Sequence, residues 1–408
     1  MKKLFVQTYG CQMNLADSEE MAGHLAMRGY ILTDKLDEAD LALVNTCTVR
    51  DHAEHRALSF LGRLRQWKRE KSGRRIIFAG CAAQRLGQKL KKTFPYLDVV
   101  SGAREIDQFA QLLDKNGFTH SDAAPNTAAK DITGYVTIMR GCDFACTYCI
   151  VPTVRGPVHC LPSTEILRNA VQKAAQGYPE IMLLGQTVNA WRENGKTFAD
   201  LLNEVSALPG VARVRFVSPH PAFITPPFLA AVKDNPKIAR HIHLPAQSGS
   251  TKVLQEMKRG YTREMFLEKT AALKELGFAI STDLIVGFPT ETEQDFEQTL
   301  SLVEQAGFAT AYCFKYSPRQ GTPAAQLNLL DEKILEQRLD ILLNKVKGLA
   351  ERAYQAQVGR EVTVLMESEN KGRTSENFWI ETKKSYTVGS IVNSKVISAK
   401  DTLLITRD

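Results

Sequence analysis

The sequence predicts an α/β protein in three parts: an open parallel sheet with flanking helices, an incomplete (β/α)6 barrel, and a small β-barrel. Three observations predict it. Short β-rich runs alternate with helical patterns from residue 3, a longer series of the same kind starts at residue 135, and only β patterns follow the helical stretch 331–355. In the first part Leu4–Thr8, Leu41–Asn45, Ile76–Ala79 and Val99–Val100 read as strands, separated by helical patterns at Asp17–Arg28, His52–Lys71, Gln84–Thr93 and Glu105–Lys115. Small polar residues with Asn116-Gly117 and Pro125-Asn126 mark a linker, which sets the first domain at 1–117 and the linker at 118–133.

The central domain, 134–344, has strand patterns at Tyr135–Met139, Ile181–Leu184, Val211–Val217, His241–Leu244, Ala279–Val286 and Ala311–Tyr316. Helical patterns at Ser163–Gln176, Phe198–Ala207, Phe223–Lys233, Arg263–Leu276 and Glu291–Gln305 separate them. Six repeats leave a barrel with an open side. Residues 345–408 carry Glu361–Met366, Phe378–Glu381, Val388–Val396 and Leu403–Thr406, enough short strands for a small OB-like barrel.

With 408 residues, 44% hydrophobic and 24% charged, the chain has a globular balance, which excludes a disordered or collagen-like protein. No apolar run approaches the roughly 20 residues needed to span a bilayer. The N-terminus turns polar too early for a signal peptide, so a reducing cytoplasm is expected and disulfides are a poor account of the eight cysteines.

Three of those cysteines fall in Gly141-Cys142-Asp143-Phe144-Ala145-Cys146-Thr147-Tyr148-Cys149, directly after the first barrel strand, where loops form barrel active sites. Cys-x3-Cys-x2-Cys offers three thiolates to an iron–sulfur cluster that normally takes four, which leaves one iron open to a ligand. A zinc site with an outlying fourth ligand is the alternative. Cys11, Cys47 and Cys81 each follow the carboxyl end of one of the first three strands read here, and in an open parallel sheet those ends converge on one crevice. They could hold a second cluster or be three small buried hydrophobes. Cys313, in an apolar strand, reads as core.

Cys142-x3-Cys146-x2-Cys149 with Tyr148 resembles the signature of radical S-adenosylmethionine (SAM) enzymes. Around the N-terminal cysteines, Gln7-Thr8-Tyr9-Gly10-Cys11-Gln12-Met13-Asn14, Asn45-Thr46-Cys47-Thr48-Val49-Arg50 and Gly80-Cys81-Ala82-Ala83-Gln84-Arg85 resemble the methylthiotransferase branch of that superfamily. So do His243-Leu244-Pro245-Ala246-Gln247-Ser248-Gly249-Ser250, the run Asp283–Thr292 and Tyr316-Ser317-Pro318-Arg319, so the resemblance spans the chain. It implies that the two triads hold two 4Fe-4S clusters, the central one binding SAM and the N-terminal one auxiliary. It also implies that Tyr148 lies by the adenine, and that the C-terminal barrel is a TRAM domain, an RNA-binding module. Gly185, Gln186, Asp283 and Gly287, at later strand ends, are candidate SAM contacts. The words around Cys11 and Cys149, with Gly372-Arg373-Thr374-Ser375-Glu376-Asn377, look most like the branch that converts N6-isopentenyladenosine at tRNA position 37 to its 2-methylthio derivative.

The implied chemistry needs no side-chain acid or base, because the adenine carbon bears a non-acidic C–H bond and a carbon radical takes its hydrogen atom. Family members that modify threonylcarbamoyladenosine or a ribosomal-protein aspartate remain alternatives, as does an RNA-binding iron–sulfur sensor without turnover. One stretch departs from the family: after Arg155-Gly156 the usual Glu, Ser and Arg are replaced by Val158, Cys160 and Leu161, which puts substrate contacts near that loop in doubt.

The partner implied is the anticodon stem-loop of tRNA, whose loop bases can be splayed out. An electron donor such as flavodoxin or ferredoxin, no membrane, and a monomeric enzyme complete the expectation. The net charge of +7 is nearly matched by a local excess of +6 between Arg50 and Arg75, nine Lys or Arg against three Asp or Glu. Arg63, Arg65, Lys68, Arg69, Lys71, Arg74 and Arg75 could follow the RNA backbone, or form a solvated helix face. In the C-terminal barrel, Lys371, Arg373, Lys383 and Lys384 are the candidates. His220, His241 and His243 near barrel strand ends read as core or rim residues.

Overall fold

The computed structural model describes residues 1–49, 51–87, 89–121 and 132–406. Most of the expected linker, and Arg50, lie outside the described residues. The chain divides into two compact units. The first comprises the described residues of Met1–Ala128 with Arg140–Asp143 and Ile150–His159, and the second those of Ala129–Met139, Phe144–Cys149 and Cys160–Asp408.

In the first unit five parallel strands, β1 (Lys2–Tyr9), β2 (Tyr30–Leu32), β3 (Leu41–Thr46), β4 (Arg75–Gly80) and β5 (Val99–Gly102), line up in the order 2-1-3-4-5. Successive side chains of a strand point to opposite faces, so a sheet covered on both sides needs apolar residues at every position. Leu41–Val44 satisfies this. Ala42 and Val44 join Ile76 and Phe78 against α2 (Asp51–Glu70) through Phe60, Leu61, Leu64 and Trp67. Leu41 and Leu43 join Ile77 and Ala79 against α1 (Gln12–Ala26) and a helix at Phe109–Lys115, through Met21, Leu25, Phe109 and Leu113. Phe118 is buried in that same layer, so the packed unit runs past the expected end at 117.

Strand β2 was absent from the sequence reading and changes the topology. It flanks β1 on one side while β3 flanks it on the other, so the connections out of β1 and β3 run in opposite directions. This is the switch point at which such sheets open a crevice.

The second unit has six parallel strands in chain order: β6 (Thr133–Thr137), β7 (Glu180–Leu184), β8 (Arg213–Phe216), β9 (His241–His243), β10 (Ala279–Val286) and β11 (Thr310–Lys315). They pair as two three-stranded groups, joined by a parallel bridge between Val214 and Ile238. Val136, Ile181, Leu183, Val214, Ile242, Leu284 and Val286 point outward into one large core with the surrounding helices. The alternate positions, among them Glu180, Arg213, Arg215, His243, Ser281 and Asp283, fall on the interior face. Thr292 opens the helix Glu293–Ala306 in a capping box with Asp295, and Gly307 closes it in the left-handed conformation, a start and a stop both written in the sequence.

Helix Glu332–Gln355 leads to a closed barrel of β12 (Glu361–Met366), β13 (Lys371–Thr374), β14 (Trp379–Glu381), β15 (Ile391–Lys400) and β16 (Leu403–Thr406). The expected OB-like closure is present, with β13 added to the strands read from sequence. Its core of Val362, Val364, Met366, Phe378, Ile380, Val396 and Leu404 includes Tyr354 from the preceding helix.

Candidate iron–sulfur and SAM site

Cys11 follows β1 and precedes α1, Cys47 follows β3, and Cys81 opens a short helix, α3 (Cys81–Leu86), after β4. The expected convergence of strand ends therefore holds, and two of the three lie at the switch point. A layer of amides sits beneath them. Asn14 Oδ1 accepts from the Cys11 N–H at 3.2 Å, Asn14 Nδ2 donates to Asn45 Oδ1 at 3.2 Å, and Asn45 Nδ2 donates to Asn14 O at 2.8 Å and Ser18 Oγ at 3.0 Å. Two glycines make room for it. A Cβ at Gly10 would stand 2.3 Å from Asn14 Oδ1, and one at Gly80, where φ is +97°, 2.2 Å from Asn45 Oδ1.

The sulfurs interact with one another. Cys47 hydrogen-bonds Cys11 and, outweighing burial and aided by Arg155, pulls the Cys11 thiol down to about 6, within reach of the thiolate at neutral pH. The same hydrogen bond, with burial and the charges of Cys11 and Cys81, pushes Cys47 well up. Burial raises Cys81, and the nearby Arg155 opposes it. A hydrogen-bonded pair of thiols, with a third thiol and a guanidinium beside them, is a donor set that could take a metal. Among the described residues no three His, Cys, Asp or Glu side chains are arranged around one metal-ion position. A cluster spreads its irons, and its thiolates, over a wider volume than a single ion.

Arg155 was not found from sequence. It ends the short helix Val151–Arg155, whose Val154 packs with Ile150 against Cys81. Its Nη2 donates to Asp17 Oδ2 at 2.8 Å, and Arg140 Nη1 donates to Asp17 Oδ1 at 2.5 Å. Asp17 is fully buried; burial alone would raise its carboxyl, but Arg155 and Arg140 hold it below the usual range.

Cys142 belongs to the first unit, where its N–H donates to Gly156 O at 3.1 Å. Gly141 before it has φ +77°, and a Cβ there would meet Pro157 O at 1.9 Å. Cys146 and Cys149 belong to the second unit, where the Cys149 N–H donates to Cys146 O at 3.1 Å. Arg259 Nη1 donates to the buried Cys146 sulfur at 3.4 Å, a second cation that the sequence reading missed. Tyr148 packs with Val253, Met257, Phe288 and Tyr316, and burial lifts its hydroxyl well above the ordinary range.

Of the other candidate SAM residues, Gly185, Gln186 and Gly287 lie just past strand ends as expected, whereas Asp283 lies within β10, and their surroundings differ. Gly185 follows β7, and a Cβ there would meet Met139 Cγ at 2.4 Å. Gln186 Oε1 is buried without a hydrogen-bond partner. Gly287, at φ +74°, gives its N–H to Glu291 Oε2 at 2.7 Å and lines a cavity of about 380 Å³ with Tyr316, Ser317 and Leu335. Asp283 is engaged by His243 Nε2 at 3.2 Å.

Sequence profiles match residues 3–102 to an uncharacterized protein family, UPF0004, and residues 136–303 to the radical SAM superfamily. The tRNA-2-methylthio-N(6)-dimethylallyladenosine synthase of Caldicellulosiruptor saccharolyticus is 39% identical over 98% of this chain and 90% of its own length. The chain belongs to the family of these synthases. A second member, from Aquifex aeolicus, is 38% identical over 98% of this chain and 96% of its own. Among solved structures, the radical S-adenosylmethionine methyltransferase TsrM from Kitasatospora setae aligns with TM-score 0.60 and 13% identity over 80% of this chain and 77% of its own, a likeness of fold.

The remaining histidines behave as read from sequence. His241 Nε2 and His243 Nδ1 lie 3.0 and 2.9 Å from Ser281 Oγ. His220 stacks on Phe144 with ring centroids 4.4 Å apart, and burial with the charge of Arg259 depresses it to about 3, so it stays neutral. The replaced loop is structurally occupied: Val158 N–H donates to Asp143 Oδ1 at 2.9 Å, Cys160 packs on the large core, and Leu161 O accepts from Trp191 Nε1 at 3.0 Å. Burial raises the Cys313 thiol to about 11, in keeping with a core role.

The basic run divides. Arg74 is buried over Trp67 and donates to Trp67 O and Asp37 O, Arg75 lies over Phe118, Lys71 pairs with Asp40, and Lys68 pairs with Asp98 at 2.6 Å. Arg63, Arg65 and Arg69 project from the exposed side of α2. In the C-terminal barrel Arg373 is held by Glu367 and Asn377, whereas Lys383 and Lys384 are exposed and Lys371 pairs weakly with Glu381 at 3.9 Å.

Proposed function

We propose that this protein adds a methylthio group to carbon 2 of N6-isopentenyladenosine at tRNA position 37 by radical SAM chemistry. The observation that carries the proposal is identity of 38–39% over nearly the whole chain to synthases named for that product, the dimethylallyl group being the same five-carbon substituent. Cys142, Cys146 and Cys149 would hold a SAM-binding 4Fe-4S cluster, and Cys11, Cys47 and Cys81 an auxiliary one. When bound, the first supplies the electron that cleaves SAM to a 5′-deoxyadenosyl radical, and the second presents sulfur.

The chain's own residues bind, orient and exclude water. Support for the auxiliary assignment comes from the converging thiols, Cys47 and Cys81 buried and Cys11 half-buried, and the guanidinium beside them. Arg259, donating to the Cys146 sulfur, places a cation beside the central loop. Tyr148, Gly185, Gln186 and Gly287 stand as SAM contacts, with the buried Gln186 Oε1 available to a donor on that ligand. Asp283 stands with them from within β10, the strand that leads to Gly287.

For tRNA, Arg63, Arg65 and Arg69 are the cations of α2 best placed to meet phosphates, with Lys371 and the neighbouring lysines in a C-terminal TRAM domain. Lys68 and Arg373 would act mainly through the fold. No helix among the described residues is long and apolar enough to cross a membrane, and a cytoplasmic, monomeric enzyme reduced by a flavodoxin or ferredoxin completes the proposal. The three-domain division goes with these roles, with its first boundary past Phe118 and the step at 345 lying inside the helix Glu332–Gln355.

Anaerobically reconstituted protein, reduced and given SAM and isopentenylated tRNA, should release 5′-deoxyadenosine. Iron-loaded protein that yields none would refute the enzyme and leave an RNA-binding sensor.

A further inference from the structure

Arg155 has one carboxylate partner and one nitrogen without a hydrogen bond. Its carboxylate partner is Asp17, and Asp17 is shared with Arg140, which also bonds Glu20 at 2.7 Å and Asp107 at 3.1 Å. The Arg155 side chain is 4% exposed, yet its Nη1 is buried without a hydrogen-bond partner. A buried guanidinium N–H left unmatched is expensive and rare in a settled fold, and an absent ligand is one of its ordinary explanations. The groups on which its charge acts, besides Asp17, are the Cys81 and Cys11 sulfurs. Val154 and Ile150, packed on Cys81, fix the backbone from which the side chain extends.

We propose that Arg155 is a positioning residue of the auxiliary site: Asp17 and Arg140 clamp its guanidinium beside Cys81 and Cys11, and its free Nη1–H donates to the sulfur of the group that the three thiolates hold. The inference rests on the auxiliary-cluster reading and deepens it. Hydrogen bonds to cluster sulfurs and the net charge around them set the potential of such a group, and an outer-shell donor of this kind tunes it without being a ligand. Removing the cation makes the loaded site more negative and therefore harder to reduce.

The test uses the full chain with Cys142, Cys146 and Cys149 replaced by Ala, reconstituted anaerobically with iron and sulfide so that only the auxiliary site is loaded. Iron per chain and the midpoint at which the reduced signal appears in an electron paramagnetic resonance titration are compared in this parent, Arg155→Lys and Arg155→Gln. The expected result is a lower midpoint in Arg155→Gln at the parent's iron content, with much of the shift restored in Arg155→Lys. An unchanged midpoint and unchanged g-values in iron-loaded Arg155→Gln overturn the inference. Should Arg155→Gln fail to load, Asp17→Asn decides, because it keeps the guanidinium and loosens its clamp: altered g-values support the role, and a signal identical to the parent's overturns it. A parent that binds no iron overturns the auxiliary-cluster reading itself, whereas a loaded parent indifferent to Arg155 overturns this inference alone.

Discussion

Replacing Glu180 by Gln removes one buried negative charge and leaves two buried positive ones. Glu180 Oε2 accepts from Arg213 Nε at 2.5 Å and Arg215 Nε at 2.7 Å, while Oε1 accepts from Thr133 Oγ1 at 2.9 Å. Burial opposes ionisation of the carboxyl, yet Arg215 and Arg213 prevail and hold it at about 2 instead of 4.5. The two guanidiniums share one carboxylate, and burial depresses both, Arg215 to about 10. At about 1.36 kcal/mol per pH unit, the displacement of Glu180 corresponds to roughly 3 kcal/mol at neutral pH, in the range of about 3–5 kcal/mol for breaking a buried ion pair. Because the folded value is depressed, this stabilisation is complete above pH 4.5 and disappears as pH falls toward 2. Arg213 and Arg215 also donate to Arg373 O and Thr374 O at 3.0–3.3 Å, so the loss should reach β13 of the small barrel. Hydrogen–deuterium exchange across a urea series should report a penalty of about 3 kcal/mol for Glu180→Gln at pH 7 in peptides from β7, β8 and β13, shrinking as the pH approaches 3. A penalty below about 1 kcal/mol at pH 7, or one that stays constant with pH, would refute this reasoning.

Other expectations follow from the sites. Gly80→Ala forces a Cβ against Asn45 Oδ1 and Thr46 O at a positive φ, and should cost the first unit about 2 kcal/mol or more by chemical denaturation. Replacing Cys11, Cys47 or Cys81 by Ala should spare some SAM cleavage and stop sulfur insertion, measured as 5′-deoxyadenosine against 2-methylthio product; unchanged thiolation would remove the need for an auxiliary cluster. Arg63→Ala, Arg65→Ala and Arg69→Ala should each weaken tRNA binding and reduce the slope of log K against log salt by about 0.7–0.9. Arg74→Ala should instead lower the denaturation midpoint of the first unit, because that guanidinium is buried over Trp67.

The strand ends that carry the two cysteine triads were legible because buried parallel strands write apolar runs, and Ala279–Val286 was read from sequence with the bounds it has in the fold. Tyr30–Leu32 was not, because three residues carry little period and owe their strand to pairing with Lys2–Leu4. Its omission hid the switch point, though not the convergence of the cysteines. The Asp17–Arg140–Arg155 network joins residues 123 and 138 positions apart, and an aspartate on a helix gives no local sign that it will be buried. The basic run shows the same limit from the other side. Composition counted its charges correctly, but only tertiary packing could divide Arg74 and Arg75, used inside the fold, from Arg63 and Arg69 on its surface.

The central claim concerns one carbon of one nucleoside, so the most direct measurement is mass spectrometry of tRNA nucleosides from cells lacking this protein. The account predicts loss of 2-methylthio-N6-isopentenyladenosine with accumulation of N6-isopentenyladenosine, reversed by the intact gene and not by a Cys142→Ala copy. Undiminished 2-methylthio-N6-isopentenyladenosine, or loss of a different thiolated nucleoside in its place, would contradict it.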